Sequence, residues 1–234
     1  MSELPRRVGA VIVAAGFGRR LGGVDKAFLN LGGQPLIAWS LGTFQRCALI
    51  EQIVLVLNEK NMAAGRKLVQ DNSWYKVGDL CLGGERRQDS VRAGLTKLKD
   101  CDWIVIHDGA RPFVNDDLIQ NGLEAAAETG AALAGVPAKD TVKLAWADRM
   151  VIGTLPRAHV WLAQTPQVFR ADIIRQAYEE PGEDVTDDAV LVERLGHKVK
   201  LYMGSYLNFK ITTPEDLTLA ADEIYAMTRL RHGR

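Results

Sequence analysis

Short apolar runs alternate with segments of helical spacing along most of the chain, and this alternation limits the possible folds more than any other feature. Runs with strand character lie at residues 8–14, 53–57, 80–82, 103–107 and 131–136. Helices are predicted over 35–46, 62–70, 88–98 and 116–129, the last with Asn115 as N-cap and Gly130 just past its end. Three more are predicted over 171–178, over 187–195 with Thr186 as N-cap, and over 214–229. Before that last helix, Thr213 stands at the N-cap, Pro214 at the first helical position and Asp216 where its carboxylate can return a bond, a capping-box arrangement. Strands separated by helices pair in parallel, because a parallel pair needs a long crossover connection. The expected fold class is α/β: a mostly parallel twisted sheet flanked by helices, in a single domain over 1–234.

The pattern changes between 137 and 164. Two short alternating stretches, 141–145 and 150–155, flank Trp146-Ala147-Asp148-Arg149 and predict a β-hairpin arm that projects from the body. An isolated hairpin is marginally stable. The arm is therefore expected to pack on something, with a second subunit the natural candidate.

Composition narrows the partners. The 29 Lys and Arg balance the 29 Asp and Glu, so no global field draws the chain to nucleic acid or to an anionic membrane. Phosphate recognition must come from local basic clusters. Residues 1–7 are charged and contain a proline, and the apolar run that follows is too short for a signal core or a membrane span. Cys47, Cys81 and Cys101 have no metal-ligand or C-x-x-C spacing, which fits a reducing compartment, and a cytoplasmic location is expected.

The first strand runs into Ala14-Ala15-Gly16-Phe17-Gly18-Arg19-Arg20-Leu21-Gly22-Gly23, with Lys26 soon after. Glycines let backbone N–H groups approach an anion, and two small alanines leave room for a flat base or a ribose. The dinucleotide fingerprint fails, because Leu21 stands where its third glycine belongs, and no G-K-[ST] triplet closes a Walker loop. Arg19, Arg20 and Lys26 point instead to chemistry at phosphate, where negative charge grows during reaction. A lone Gly-x-Gly would more often be a simple turn with solvated arginines.

Further segments add to this loop. The strand over 103–107 ends in His107-Asp108-Gly109-Ala110-Arg111, at the sheet edge where ligands of open α/β proteins bind. Asp108 is a hard oxygen donor suited to magnesium that also holds substrate phosphates, and Arg111 can grip a phosphate bidentately. Gly83-Gly84-Glu85-Arg86-Arg87-Gln88-Asp89-Ser90 again joins a strand to a helix, and its backbone with Ser90 could read a pyrimidine edge. Equally, that segment reads as a capped helix start with exposed arginines. Thr141, Lys143 and Arg157 fall in the arm region, where such residues are ordinarily solvated. Thr186 and Lys210 have ready readings as a helix cap and a strand end.

Together these segments resemble, in order and over nearly the whole chain, the 2-C-methyl-D-erythritol 4-phosphate cytidylyltransferases of the non-mevalonate isoprenoid pathway. The match includes 14–20, 83–84 with 89–91, 107–112, 140–143, 164–167, 186–189 and 210–216. The sequence differs from that pattern in Val13, where proline is usual, in Asp25-Lys26-Ala27, where Pro-Lys-Gln is usual, and in Gly109, where alanine is usual. The resemblance implies a Rossmann-like nucleotidyltransferase body, a β-arm that embraces the partner of a homodimer, and dependence on Mg2+ held by Asp108. It further implies that Arg19, Lys26 and Lys210 are catalytic. CTP would lie against Ala14, Ala15, Gly16, Gly18, Gly84, Ser90 and Gly109. The polyol phosphate would meet Arg111, Thr141, Arg157, Thr165 and Thr186, with Thr141 and Arg157 reaching across the dimer.

The reaction implied is in-line attack by the acceptor's phosphate oxygen on the α-phosphorus of CTP, with pyrophosphate leaving. Three other readings compete: the same chemistry on ribitol 5-phosphate, a nucleotide-binding regulatory module without turnover, and a dinucleotide oxidoreductase. Ala110 before Arg111 favours methylerythritol over ribitol, whose enzymes commonly carry valine there.

Overall fold

A computed structural model describes residues 7–16, 26–179 and 183–232. A seven-stranded sheet forms the centre, in the order β11-β7-β10-β6-β1-β4-β5. Its strands are β1 (Val8–Ala14), β4 (Ile50–Leu57), β5 (Val77–Leu82), β6 (Trp103–Asp108), β7 (Ala131–Pro137), β10 (Trp161–Arg170) and β11 (Lys200–Met203). Every neighbouring pair is parallel except those of β10, which runs antiparallel to both β6 and β7. Two small ribbons accompany the sheet: β2 (Asn30–Leu31) with β3 (Gln34–Pro35), and β8 (Lys143–Ala145) with β9 (Val151–Thr154).

Strand periodicity divides the core into two faces. Val8, Ala10 and Ile12 of β1, with Ile53, Leu55 and Leu57 of β4, meet α1 (Leu36–Arg46) and α4 (Asp116–Thr129) on one side. Val11, Val54 and Val56, the residues between them, meet α3 (Arg87–Lys97), α5 (Ala171–Glu179) and α6 (Ala189–Arg194) on the other. Burial on both faces explains why these strands read as nearly continuous apolar runs. α2 (Met62–Asp71) packs beside β5, and α7 (Pro214–His232) covers a third, smaller cluster through Ala220 and Ile224.

The expected helix ends hold where a side chain fixes them. Asn115 Oδ1 accepts from Leu118 N at 2.9 Å, and Gly130 closes α4 in a left-handed conformation at φ 85°. Thr213 N donates to Asp216 Oδ2 at 2.9 Å while Asp216 N donates back to Thr213 Oγ1 at 3.3 Å, which is the reciprocal box before α7.

Three expectations need correction. Residues 161–170 are a ten-residue strand of the central sheet, whereas the sequence pattern puts 161–164 in the arm region and assigns no element to 165–170. Their buried stretch includes Gln164, Thr165 and Gln167, so no apolar alternation marks it. β11 lies at the sheet edge, likewise unannounced in the sequence, and Lys210, read as a strand end, sits in the loop well after it. Finally, α6 starts at Ala189, and Thr186 is not its cap: Asp187 Oδ1 accepts from Val190 N at 3.1 Å, while Asp188 turns inward.

The arm is present. Lys143 pairs with Thr154 and Leu144 with Gly153, and both strands are solvent-exposed. Leu144, Trp146, Met150, Val151 and Ile152 present apolar surface along it.

Candidate active site

The chain turns from β1 outward to β4 and β5, then crosses back to β6 on the other side of β1. Ligands of open α/β sheets bind at such a reversal, beyond the carboxyl ends of the strands. Two adjoining chambers lie there. One, of about 330 Å³, is bounded by the ends of β1 and β6, the start of α3, and Lys26. The second, of about 210 Å³, lies between β10, the 186–187 segment and Arg111. Arg87, Asp108 and Lys210 line both. The first is within the size range of small-ligand pockets.

Backbone and small side chains shape the first chamber. Ala14, Gly16, Gly84, Ser90 and Gly109 line it, and Ala15 packs beneath. A Cβ on Gly83 would sit 2.4 Å from Ala15 Cβ and 2.5 Å from Ser90 Oγ, so only glycine lets the two loops meet. Ser90 is buried, and its hydroxyl accepts from Gly84 N at 3.2 Å. It therefore orders the Gly-Gly turn, a duty the pyrimidine-reading expectation did not include. Gly109 lies against α1: a Cβ there would come within 2.3 Å of buried Ile37 Cδ1. Glycine at 109 and isoleucine at 37 thus fill one space between them.

Charge gathers where the chambers join. Asp108 Oδ2 accepts from Lys210 Nζ at 2.6 Å and Oδ1 from Arg87 Nε at 2.9 Å, with Arg111 Nε 4.0 Å away. Burial would raise the Asp108 carboxyl, but Arg87, Lys210 and Arg111 outweigh it and hold the group well below the usual carboxylate range. Arg87, expected as an exposed arginine at a helix start, is instead mostly buried and reaches Asp188 Oδ2 at 2.8 Å as well. Although burial opposes its charge, the two carboxylates keep the guanidinium firmly protonated. Asp188 has no exposed surface and also accepts from Tyr178 Oη at 2.5 Å.

The second chamber is walled by polar side chains that bond to one another. Arg111 donates from Nη1 to Asn208 O at 2.8 Å and from Nη2 to Ala163 O at 3.4 Å. Asn208 Nδ2 donates to Thr165 O at 2.8 Å. Thr165 Oγ1 accepts from Asp108 N at 3.0 Å, so its own proton goes to His107 Nδ1 at 3.1 Å, and His107 Nε2–H donates to Arg111 O at 3.1 Å. Burial lowers His107 to about 4, so the ring is neutral and in the Nε2–H form. Thr165 lines the chamber, yet its hydroxyl is engaged in joining β10 to β6.

The remaining expected residues divide by position. Thr186 lines the second chamber beside Asp187. Thr141 and Arg157 are exposed on the arm side and line neither chamber of their own protomer, with Arg157 Nη1 donating to Lys139 O at 2.5 Å. Gly18 and Arg19 lie outside the described residues, as does Arg20. Among the described residues no cluster of three or more His, Cys, Asp or Glu is arranged to hold a metal. Magnesium needs less when phosphates complete its shell, one or two carboxylates being enough. Asp108, ionised at the junction, fits that requirement.

Arg87 and Asp188 are the residues that sequence reasoning passed over. The only signal was that Arg87 follows a Gly-Gly turn, since its partners lie far along the chain.

Comparison with known proteins places this fold in a family. The family model described as 2-C-methyl-D-erythritol 4-phosphate cytidylyltransferase matches residues 8–226. A protein of that name from Dehalococcoides mccartyi is 52% identical over 217 residues, covering 93% of this chain and 96% of the relative. Another, from Geobacter metallireducens, is 43% identical with 90% and 94% covered. Among solved structures, the 4-diphosphocytidyl-2C-methyl-D-erythritol synthase of Anaerococcus prevotii superposes with a TM-score of 0.83 at 30% identity, over 94% of this chain and 96% of that one. The 2-C-methyl-D-erythritol 4-phosphate cytidylyltransferase of Thermus thermophilus gives 0.76 at 32% identity, over 92% and 98%. On the family match, these identities and the shared fold, the chain belongs to the 2-C-methyl-D-erythritol 4-phosphate cytidylyltransferase family.

Proposed function

We propose that this protein transfers the cytidylyl group of CTP to 2-C-methyl-D-erythritol 4-phosphate and releases pyrophosphate. The observation that carries the reading is the pair of chambers meeting at Arg87, Asp108 and Lys210. A nucleotide in the first and a phosphorylated acceptor in the second bring their phosphates together at that junction.

The acceptor's phosphate oxygen forms a bond to the α-phosphorus of CTP as the bond to the β-phosphate oxygen breaks and its electron pair leaves with pyrophosphate. Both reactants are anions, so positioning and charge neutralisation supply most of the acceleration. Lys26 on the nucleotide side and Lys210 at the junction supply fixed positive charge. Arg19 belongs to the same set by position in the sequence. Arg111 presents its positive field to the acceptor phosphate while two carbonyls fix its orientation. Mg2+ held by Asp108 would neutralise triphosphate charge when bound.

We further propose that the protein works as a homodimer through the β8–β9 arm, which would bring Thr141 and Arg157 to the partner's acceptor chamber. The apolar face of Trp146, Met150 and Ile152 supports this, because an exposed apolar patch of that kind marks an interaction surface. No helix among the described residues is long and apolar enough to cross a membrane. The three unpaired cysteines fit the cytoplasm.

A pyrophosphate-release assay pairing CTP, UTP, GTP and ATP with methylerythritol phosphate and ribitol phosphate tests the reading. Turnover is expected with CTP and methylerythritol phosphate. A preference for ribitol phosphate or for a purine nucleotide would overturn it.

A further inference from the structure

Arg87 serves two buried carboxylates with one guanidinium: Nε donates to Asp108 at 2.9 Å and Nη2 lies 2.8 Å from Asp188. The 185–189 segment does not need this ion pair to be held in place, because α3, β10 and α5 each already bond to it. Val185 N donates to Gln88 Oε1 at 2.9 Å, Ala189 N donates to Gln167 Oε1 at 3.1 Å, and Tyr178 Oη reaches Asp188 at 2.5 Å. Nor does Asp108 need Arg87 as its counter-charge, since Lys210 is already 2.6 Å away. What sets Arg87 apart is its place, because it lines both chambers and keeps 21% of its side chain accessible where they join.

We propose that Arg87 is a catalytic cation of this junction and that Asp188 is the positioning residue that holds it there. The inference rests on the cytidylyl-transfer reading above. Nε donates to Asp108 and the buried Nη2 faces Asp188 as an ion pair, which leaves Nη1 to meet phosphoryl oxygens. A cation fixed before the reaction stabilises charge that develops at the α-phosphorus without reorganising. Asp188, fully buried, cannot touch substrate and acts through Arg87 alone. Its fixed negative charge keeps the guanidinium spanning the junction, where one carboxylate would leave it free to fold onto Asp108 entirely.

The test is steady-state kinetics on the intact chain with CTP, methylerythritol phosphate and magnesium, with melting temperatures to check folding. Arg87→Ala is expected to lower kcat by about 100-fold, the scale of losing one preorganised donor, and added guanidinium ion is expected to restore part of that loss. Asp188→Asn keeps the shape but drops the charge, and is expected to lower kcat about tenfold, near 1.4 kcal/mol, with little change in either KM. If Asp188 works through Arg87, the double variant is no slower than Arg87→Ala. Should Arg87→Ala fail to fold, Arg87→Lys carries the test, with a loss of about tenfold or more expected because the fork is gone. Wild-type kcat in a folded Arg87 variant, no guanidinium rescue, or a double variant that multiplies the two losses overturns the proposal. Absence of turnover in the wild type overturns the cytidylyl-transfer reading with it; turnover undiminished by Arg87→Ala overturns this inference alone.

Discussion

The two chambers are built by opposite means. The chamber proposed for the nucleotide is mostly backbone and small side chains, contributed by two strand-end turns at 14–16 and 108–110 and the Gly83-Gly84 turn that opens α3. The chamber proposed for the acceptor is walled by polar side chains brought from β6, β10, the 186–187 segment and the loop before α7, several of them held by hydrogen bonds. A pocket shaped by backbone is set once the strands form. One shaped by a buried polar network depends on every member being satisfied, because an unpaired buried donor costs about 1–3 kcal/mol.

That contrast can be broken most severely through His107. Its ring is held neutral with a value near 4, against 6.5 in the unfolded chain, so the unfolded state binds the proton first as pH falls. Stability is therefore undiminished above about pH 6.5 and is lost between there and pH 4, by up to about 3 kcal/mol. Denaturant titrations at pH 7 and pH 4 should show this fall in the wild type and a correspondingly smaller one in His107→Gln. Equal pH dependence in the two proteins would remove the buried histidine from the account.

Next in size is the nucleotide side. Lys26→Ala should cut turnover by about 100-fold or more, near 2.7 kcal/mol, measured as pyrophosphate release. An almost unchanged rate would remove Lys26 from the chemistry.

Gly83→Ala sharpens the comparison, since the added methyl must displace Ala15 or Ser90. A cost of roughly 1–3 kcal/mol is expected, expressed as a raised KM for CTP with the KM for the acceptor left alone. A rise in both would mean that the chambers are not separately built. The smallest effect belongs to the arm. Met150→Ser should alter protomer stability by less than about 0.5 kcal/mol while weakening the proposed dimer measured by sedimentation; an unaltered association state would remove the arm from that proposal.

How much was legible in the sequence follows the same division. β1, β6 and α4 could be read to within a residue or so, because apolar runs, an Asn N-cap and a C-terminal glycine are local signals. β10 was hidden because Gln164, Thr165 and Gln167 occupy core positions that ordinarily carry aliphatic residues. Asp108 and Lys210 were each picked out by their motifs, but their contact spans 102 positions and no pattern in the sequence joins them.

Arg87 shows the reason most clearly. A charged residue after Gly-Gly-Glu-Arg reads as solvated, and it would be so if β10 and the 185–189 segment did not close over it. The alternation of strand and helix, fixed by backbone sterics and side-chain period, determined by itself an α/β sheet, and the glycines and cations after its first strand marked a candidate phosphate site. Which charges share the junction, and which arginine loses its water, was decided only by the sheet order that inserts antiparallel β10 between β6 and β7 and brings Thr165 against Asp108. Hydrophobic periodicity acts between neighbours in the chain, whereas ion pairs and buried hydrogen bonds act between neighbours in space.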